Sequence, residues 1–345
     1  AMPIVLTVSG ARLNNRLYAS NSRGRRSAMT DLLLGVDLGT TSVKAGLFAP
    51  DGTCMAHFRQ TYPTSRAAGG VVEQDPVHWI GLIDAALDRF DGLGFAGRIG
   101  AGALTSQVNT HVFVDAAGNP LMPAMTWQDT RAAREAADLD AQLSPEDKVA
   151  WLGAPIPVDA SHPLARMLWV QRHRPEVWEK TVQVLLPKDY ALLHLTGALA
   201  TDPLSNIGLV GLDGAYVAPI LDLVSGAAER MAPLSGLCQT VGTLRDARYS
   251  KAPMATATMD AWVGLVGTGA ARDGAGVYLS GTSEILGITA QTVTQAPGIV
   301  VFAEAEGLRL HAGPTQSGGA SLQWFADLAG LSVAEVSTRS AEARE

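Results

Sequence analysis

Cysteine is scarce in this chain: Cys54 and Cys238 are the only two in 345 residues. They stand far apart and form no metal or redox spacing, which fits a reducing compartment, most simply the cytoplasm. Long apolar runs are missing as well. None approaches the ~20 residues that cross a bilayer, so no membrane partner is expected. Positive charge is in deficit, with 26 Lys and Arg against 33 Asp and Glu, and a net charge of −7 argues against a broad nucleic-acid surface. No GxxxxGK[ST] occurs, which excludes the P-loop way of holding a nucleotide. What remains, 47% hydrophobic and 17% charged residues, is a globular composition with enough length for one or two sizeable cores.

Acids are wholly absent from the first thirty residues, which hold Arg12, Arg16, Arg23, Arg25 and Arg26. That composition resembles an organelle transit peptide. The favoured reading is upstream or appended sequence with Met29 as the natural start, so residues 1–29 are set outside the fold. With those five Arg removed from the 26 basic residues and no acid removed, the remainder is close to −12.

The stretch that organises the chain is Asp31–Phe48, DLLLGVDLGTTSVKAGLF. Leu32, Leu33, Leu34 and Val36 read as a buried strand, and Val43–Phe48 as a second strand leaving a tight turn. Asp37 closes the first strand, Gly39 offers backbone freedom, and Thr40, Thr41 and Ser42 crowd hydroxyls and N–H groups into the turn. An acid beside such a turn suits a hydrated Mg²⁺ and a nucleotide phosphate. It is also the pattern of an ordinary hairpin with a polar turn.

Downstream, Pro50-Asp51-Gly52 is a turn, Cys54–Arg59 a third strand, and Asp75-Pro76 the start of a helix with Ile80, Ile83, Leu87 and Phe90 on one face. Arg98–Thr105 reads as a strand, followed by Gln107 and Asn109, whose alternation places both on one face of a cleft. Helices are expected over Thr130–Leu143, Ser144–Leu152, Pro163–His173 and from Pro187 to a Gly197 cap. Gly242–Ala257 reads as loop. Asp260 then opens an apolar helix, as an N-cap or as a general base. Gly274–Thr289 is strand-turn-strand around a second hydroxyl-rich turn, Ser280-Gly281-Thr282-Ser283. Gly313–Leu328 passes from a Gly/Ser loop into a helix whose first N–H groups could meet phosphate or ribose, or which simply turns Trp324 and Leu328 inward, and both can hold at once.

These segments together resemble the FGGY carbohydrate kinase family. The resemblance runs through the Asp37 turn, VVEQDPVHWI, Trp127-Gln128-Asp129-Thr130-Arg131, LPKDYALLHLTGALATD, Asp260 and GGASLQW, from Thr30 to about Val336. It implies an α/β protein with the ribonuclease-H-like actin/hexokinase-type sugar kinase fold. The first domain (30–269) would be complete and the second, nucleotide-binding one (270–345) partial, because the family's adenosine loop has no counterpart after Gly319. Exposed apolar surface would follow from that shortfall. The implied reaction is ATP-dependent phosphorylation of a sugar or polyol hydroxyl. Asp260 is then the base, its pKa held down by the helix N-terminus, and Asp37 the Mg²⁺ ligand through water. Gly39, Thr40, Thr41, Ser42, Lys44, Gly281, Thr282, Gly319 and Gln323 would stand on the phosphate and nucleotide side. Gln107, Asn109 and Trp127 would line the substrate pocket together with Asp260. Xylulose kinases of the family often carry Gln-Met-His-Gly where this chain has Gln107-Val108-Asn109-Thr110. Partners are a small sugar or polyol, with a homodimer left open. The alternatives are an inactive sugar-binding or regulatory homologue, and another actin-fold ATPase.

Overall fold

The computed structural model describes residues 31–342 apart from 250, 281–283, 297, 316 and 317. β1 (Leu32–Leu38), β2 (Ser42–Phe48) and β3 (Cys54–Thr61) form the expected antiparallel meander. In β1 the period of two buries Leu32, Leu34, Val36 and Leu38 and leaves Asp37 on the other face. β1 also pairs, in parallel, with the Ile99–Ser106 strand, and that strand pairs in parallel with Pro253–Ala255. Thr240–Thr243 completes a six-stranded sheet at the edge beyond Pro253–Ala255. An antiparallel meander whose first strand continues into two parallel neighbours is the ribonuclease-H-like arrangement.

Helix α1 (Pro76–Gly92) starts where Asp75 Oδ1 accepts the Val77 N–H at 2.9 Å, with Pro76 in the first turn. It buries Trp79, Ile80, Ile83, Leu87 and Phe90 in the core that covers this sheet. The Pro187–Thr196 helix shares that core through Tyr190, Leu192 and Leu195, and it ends on Gly197 at φ 75°. A second core gathers Phe113 and Met125 with Leu164, Met167 and Val170 of the Pro163–His173 helix. The third joins Met259, Trp262 and Leu265, from the start of the Asp260–Gly267 helix, to Val277, Leu310 and Ala312. Those last residues belong to an antiparallel sheet ordered Gly276–Ser280, Glu284–Ala290, Arg309–Thr315, Val300–Val301.

Several expectations need correction. The helix read from Thr130 spans only Ala133–Asp140, because the Thr130 N–H is taken by Gly70 O at 2.9 Å and the chain turns there first. The stretch read as loop holds the two short strands Thr240–Thr243 and Pro253–Ala255. Gly39 does not adopt a left-handed conformation; its N–H donates to Ser42 O at 3.2 Å. Trp324 and Leu328 face outward, 65% and 70% exposed. Along with Tyr278, Leu286, Ile288 and Phe325 they make the exposed apolar surface expected of the second lobe.

Candidate active site

The site lies at the carboxyl ends of the two parallel strands β1 and Ile99–Ser106, where an open α/β sheet presents a crevice. Register sets Asp37 opposite Thr105 and Leu38 opposite Ser106. Asp37 Oδ2 takes the Lys44 ammonium at 2.7 Å. Its Oδ1 is buried with no hydrogen-bond partner. Such an orphaned carboxylate oxygen beside a turn suits a donor or a hydrated cation. Of the turn hydroxyls, Thr41 is exposed and Thr40 half-buried, whereas Ser42 is buried at the start of β2. The Tyr62 hydroxyl donates to Gly39 O and fixes the turn from below.

The turn is tied to the opposite wall by a chain of amides. Gln107 Nε2 donates to Gln74 Oε1 at 2.9 Å, and Gln74 Nε2 donates to Thr40 O at 2.9 Å and Thr64 Oγ1 at 2.9 Å. Trp127 Nε1 donates to Thr40 Oγ1 at 3.2 Å, so the Trp127 wall and the threonine turn share a hydrogen bond. Gln107 Oε1 is buried and unpartnered. Asn109 does not continue an extended alternation with Gln107: its φ is 52°, and its Nδ2 donates to Ser161 Oγ at 3.2 Å. The left-handed turn sends it away from the Gln107 side, a conformation Asn tolerates better than most residues. Asp129 and Arg131 pair with each other, and Glu73 completes the set.

Behind this wall Arg166 is wholly buried without a carboxylate partner. It donates to the carbonyls of Asn109, Met125 (2.8 Å) and Thr126, and it contacts His111 Nδ1 at 2.8 Å. Burial pulls its pKa down to about 9, still above neutrality.

Asp260 opens its helix in the first turn, with Met259 in the cap position. Its Oδ1 accepts the Ala261 N–H at 2.8 Å. Asp260 is exposed to solvent at the crevice, although neighbouring protein crowds its carboxyl. Loss of water therefore raises its pKa, the Asp37 charge raises it further, and the Ala261 N–H and Lys44 oppose the rise only in part. This corrects the expectation of a depressed value: desolvation outweighs the helix terminus. Lys44 thus acts electrostatically on both carboxylates.

Gly319 and Gln323 lie on the Gly319–Leu328 helix of the second lobe, where Gln323 Nε2 donates to Asp327 at 2.8 Å. Gly281 and Thr282 fall outside the described residues. The structure thus brings Asp37, Thr40, Thr41, Lys44, Gln107, Trp127 and Asp260 to one crevice. It adds residues that sequence reasoning passed over, Tyr62 and Gln74 beneath the turn and a buried Lys188–Asp202 pair behind Asp260. Among the described residues no cluster of three or more His, Cys, Asp or Glu side chains could hold a metal by itself, and no helix is long and apolar enough to cross a membrane.

Residues 32–267 match the model of the FGGY family of carbohydrate kinases, N-terminal domain. The xylulose kinase of Escherichia coli (strain K12) is 29% identical over 312 residues, 87% of this chain and 64% of that protein. The gluconokinase of Bacillus subtilis (strain 168) is 25% identical over 322 residues, 90% of this chain and 62% of that one. Among solved structures, a xylulose kinase from Brucella ovis superposes with a TM-score of 0.80 at 25% identity, over 89% of this chain and 65% of that one. Plasmodium falciparum glycerol kinase with ADP gives a TM-score of 0.77 at 16% identity, over 87% and 64%, a likeness of fold alone. The chain spans about 64% of the length of the relatives it matches.

Proposed function

The chain belongs to the FGGY family of carbohydrate kinases, and from that membership we propose that it transfers the terminal phosphoryl group of ATP to a hydroxyl of a small sugar or polyol. The observation that carries this reading is the convergence of Asp260 with the Asp37 turn at the carboxyl ends of β1 and Ile99–Ser106. Asp260 is the general base: its carboxylate takes the substrate hydroxyl proton as that oxygen bonds to the γ-phosphorus and the bond to the ADP oxygen breaks. Thr40, Thr41 and Lys44 meet the phosphates. Gln107 and Trp127 line the substrate, the indole offering a flat apolar face to carbon–hydrogen groups and Gln107 Oε1 an unspent acceptor.

Magnesium fits the residues present. Asp37 Oδ1 is the orphaned oxygen that suits a hydrated ion, and the absence of a self-sufficient ligand cluster among the described residues agrees with an ion held mainly by phosphates and water. When bound, such an ion supplies charge neutralisation on the phosphates.

The test is ADP release from ATP·Mg²⁺ across ketoses, pentitols, tetritols, glycerol and aldonates. Ketopentoses and gluconate come first because xylulose kinases and a gluconokinase are among the relatives. Turnover with one compound class supports the kinase. Polyol binding by calorimetry with no ADP release from any of them would replace it by the sugar-binding reading.

The pH dependence follows from the site. A base whose pKa is raised by burial must be deprotonated to work, so kcat should fall on the acid side at a pH above the ordinary aspartate value of about 4. A kcat–pH profile with no acid limb above that value would remove Asp260 from the role.

A further inference from the structure

We propose that Thr258 is a positioning residue for Asp260, resting on the kinase reading above, and that it registers the base against the strand pair that carries Asp37. Thr258 Oγ1 donates to Asp202 Oδ1 at 2.6 Å, while Thr258 O accepts the Thr105 hydroxyl at 2.6 Å. Thr105 is the residue opposite Asp37 in the parallel register. The two carboxylates of the reaction are therefore referenced to one rung of the central sheet.

The anchor on the other side is rigid by construction. Asp202 Oδ1 also accepts the N–H groups of Leu204 and Ser205 at 3.0 Å each. Its Oδ2 stands 2.8 Å from Lys188 Nζ, which is itself 2.6 Å from Asp189 Oδ1. Lys188 and Asp202 are wholly buried. Burying such charges is expensive, and their use here is geometric: three donors converge on Asp202 Oδ1, while Oδ2 faces the Lys188 ammonium as an ion pair. The residues flanking Thr258 add to the constraint. Ala257 sits at φ 50°, a left-handed conformation costly for a side-chain-bearing residue, with its N–H on Leu237 O at 2.9 Å. Met259 is buried in the third core. A misplacement of about 1 Å at a reacting group costs about 10²-fold in rate, so a clamp at this point acts on the chemical step.

The experiment compares Thr258→Val, which keeps the shape and loses the hydroxyl, with Thr258→Ser, which keeps the hydroxyl. The Val variant should lose about 10- to 100-fold in kcat with KM for sugar and ATP within about twofold of wild type, and the Ser variant should stay within about threefold. Amide hydrogen exchange over Asp260–Gly267, read without turnover, should speed up in the Val variant and match wild type in the Ser variant. If the Val variant does not fold, Thr105→Val removes the other tie and carries the same expectation. Wild-type kcat in the Val variant, or an equal loss in the Ser variant, overturns the positioning role. A wild-type chain silent with every sugar instead sinks the kinase reading, and unchanged exchange in the Val variant would then sink the clamp separately.

Discussion

Asp260→Asn lowers kcat by about 10²–10⁴-fold and leaves sugar affinity close to wild type, because the amide fills the same space but takes no proton. The same substitution makes the protein more stable at neutral pH. Burial raises the Asp260 pKa in the folded state. The contribution of a group raised in this way is complete below its unfolded value and is lost as pH climbs through the folded value. At pH 7 the ionised carboxylate is therefore a cost to the fold, a modest one because Asp260 is exposed to solvent, and Asn removes it. Single-turnover kinetics beside denaturant unfolding at pH 7 checks both halves. An Asn variant with full turnover removes the base assignment. One that is inactive but less stable shows that the carboxylate is held by favourable contacts rather than by the need for a charge in the crevice.

Lys188→Met costs about 3–5 kcal/mol of folding stability, the largest single loss expected in this chain. Burial opposes the charge on Lys188, yet the two carboxylates outweigh it and hold its pKa above the ordinary ammonium value. Removing the ammonium leaves Asp189 and Asp202 buried and mutually repelling. The matched replacement, Lys188→Met with Asp189→Asn and Asp202→Asn, should recover much of the loss, since the cost lies in the uncompensated charge. Urea unfolding of wild type, the single variant and the triple variant measures it. A Lys188→Met variant within about 0.5 kcal/mol of wild type would mean that the three groups are not the coupled buried cluster described here.

The fold was legible where local chemistry and tertiary structure agree. A short apolar run closed by a turn marked β1, though Leu33, read as buried, is 47% exposed; the Asp75-Pro76 pair marked the start of α1, and Gly197 the end of the helix opened by Pro187. Thr240–Thr243 and Pro253–Ala255 were illegible because each is three or four residues long and holds a Gly or a Pro. They are strands through pairing, the second lying against Ile99–Ser106 where a side chain at Gly102 would collide with Met254. The Asp37 turn and Asp260 stood out in the sequence as candidates for the site. What could not be read was the desolvation that raises Asp260, or the Lys188–Asp202–Thr258 chain, whose members are far apart in sequence and meet only in the folded core. Asn109 misled for a different reason: alternation was inferred across a residue whose backbone is left-handed.

Arg166 has a consequence for how this pocket can diversify. One guanidinium collects the carbonyls before Val108–Thr110 has finished turning and again just ahead of Trp127, so two distant segments are fastened to a common centre. The wall that carries Asn109 and Trp127 is thus a plate, not a pair of loops. Its outline can be recut by exchanging the side chains mounted on it, at Asn109 or Trp127, without redrawing the backbone beneath. Selectivity can drift while the frame that carries it stands still.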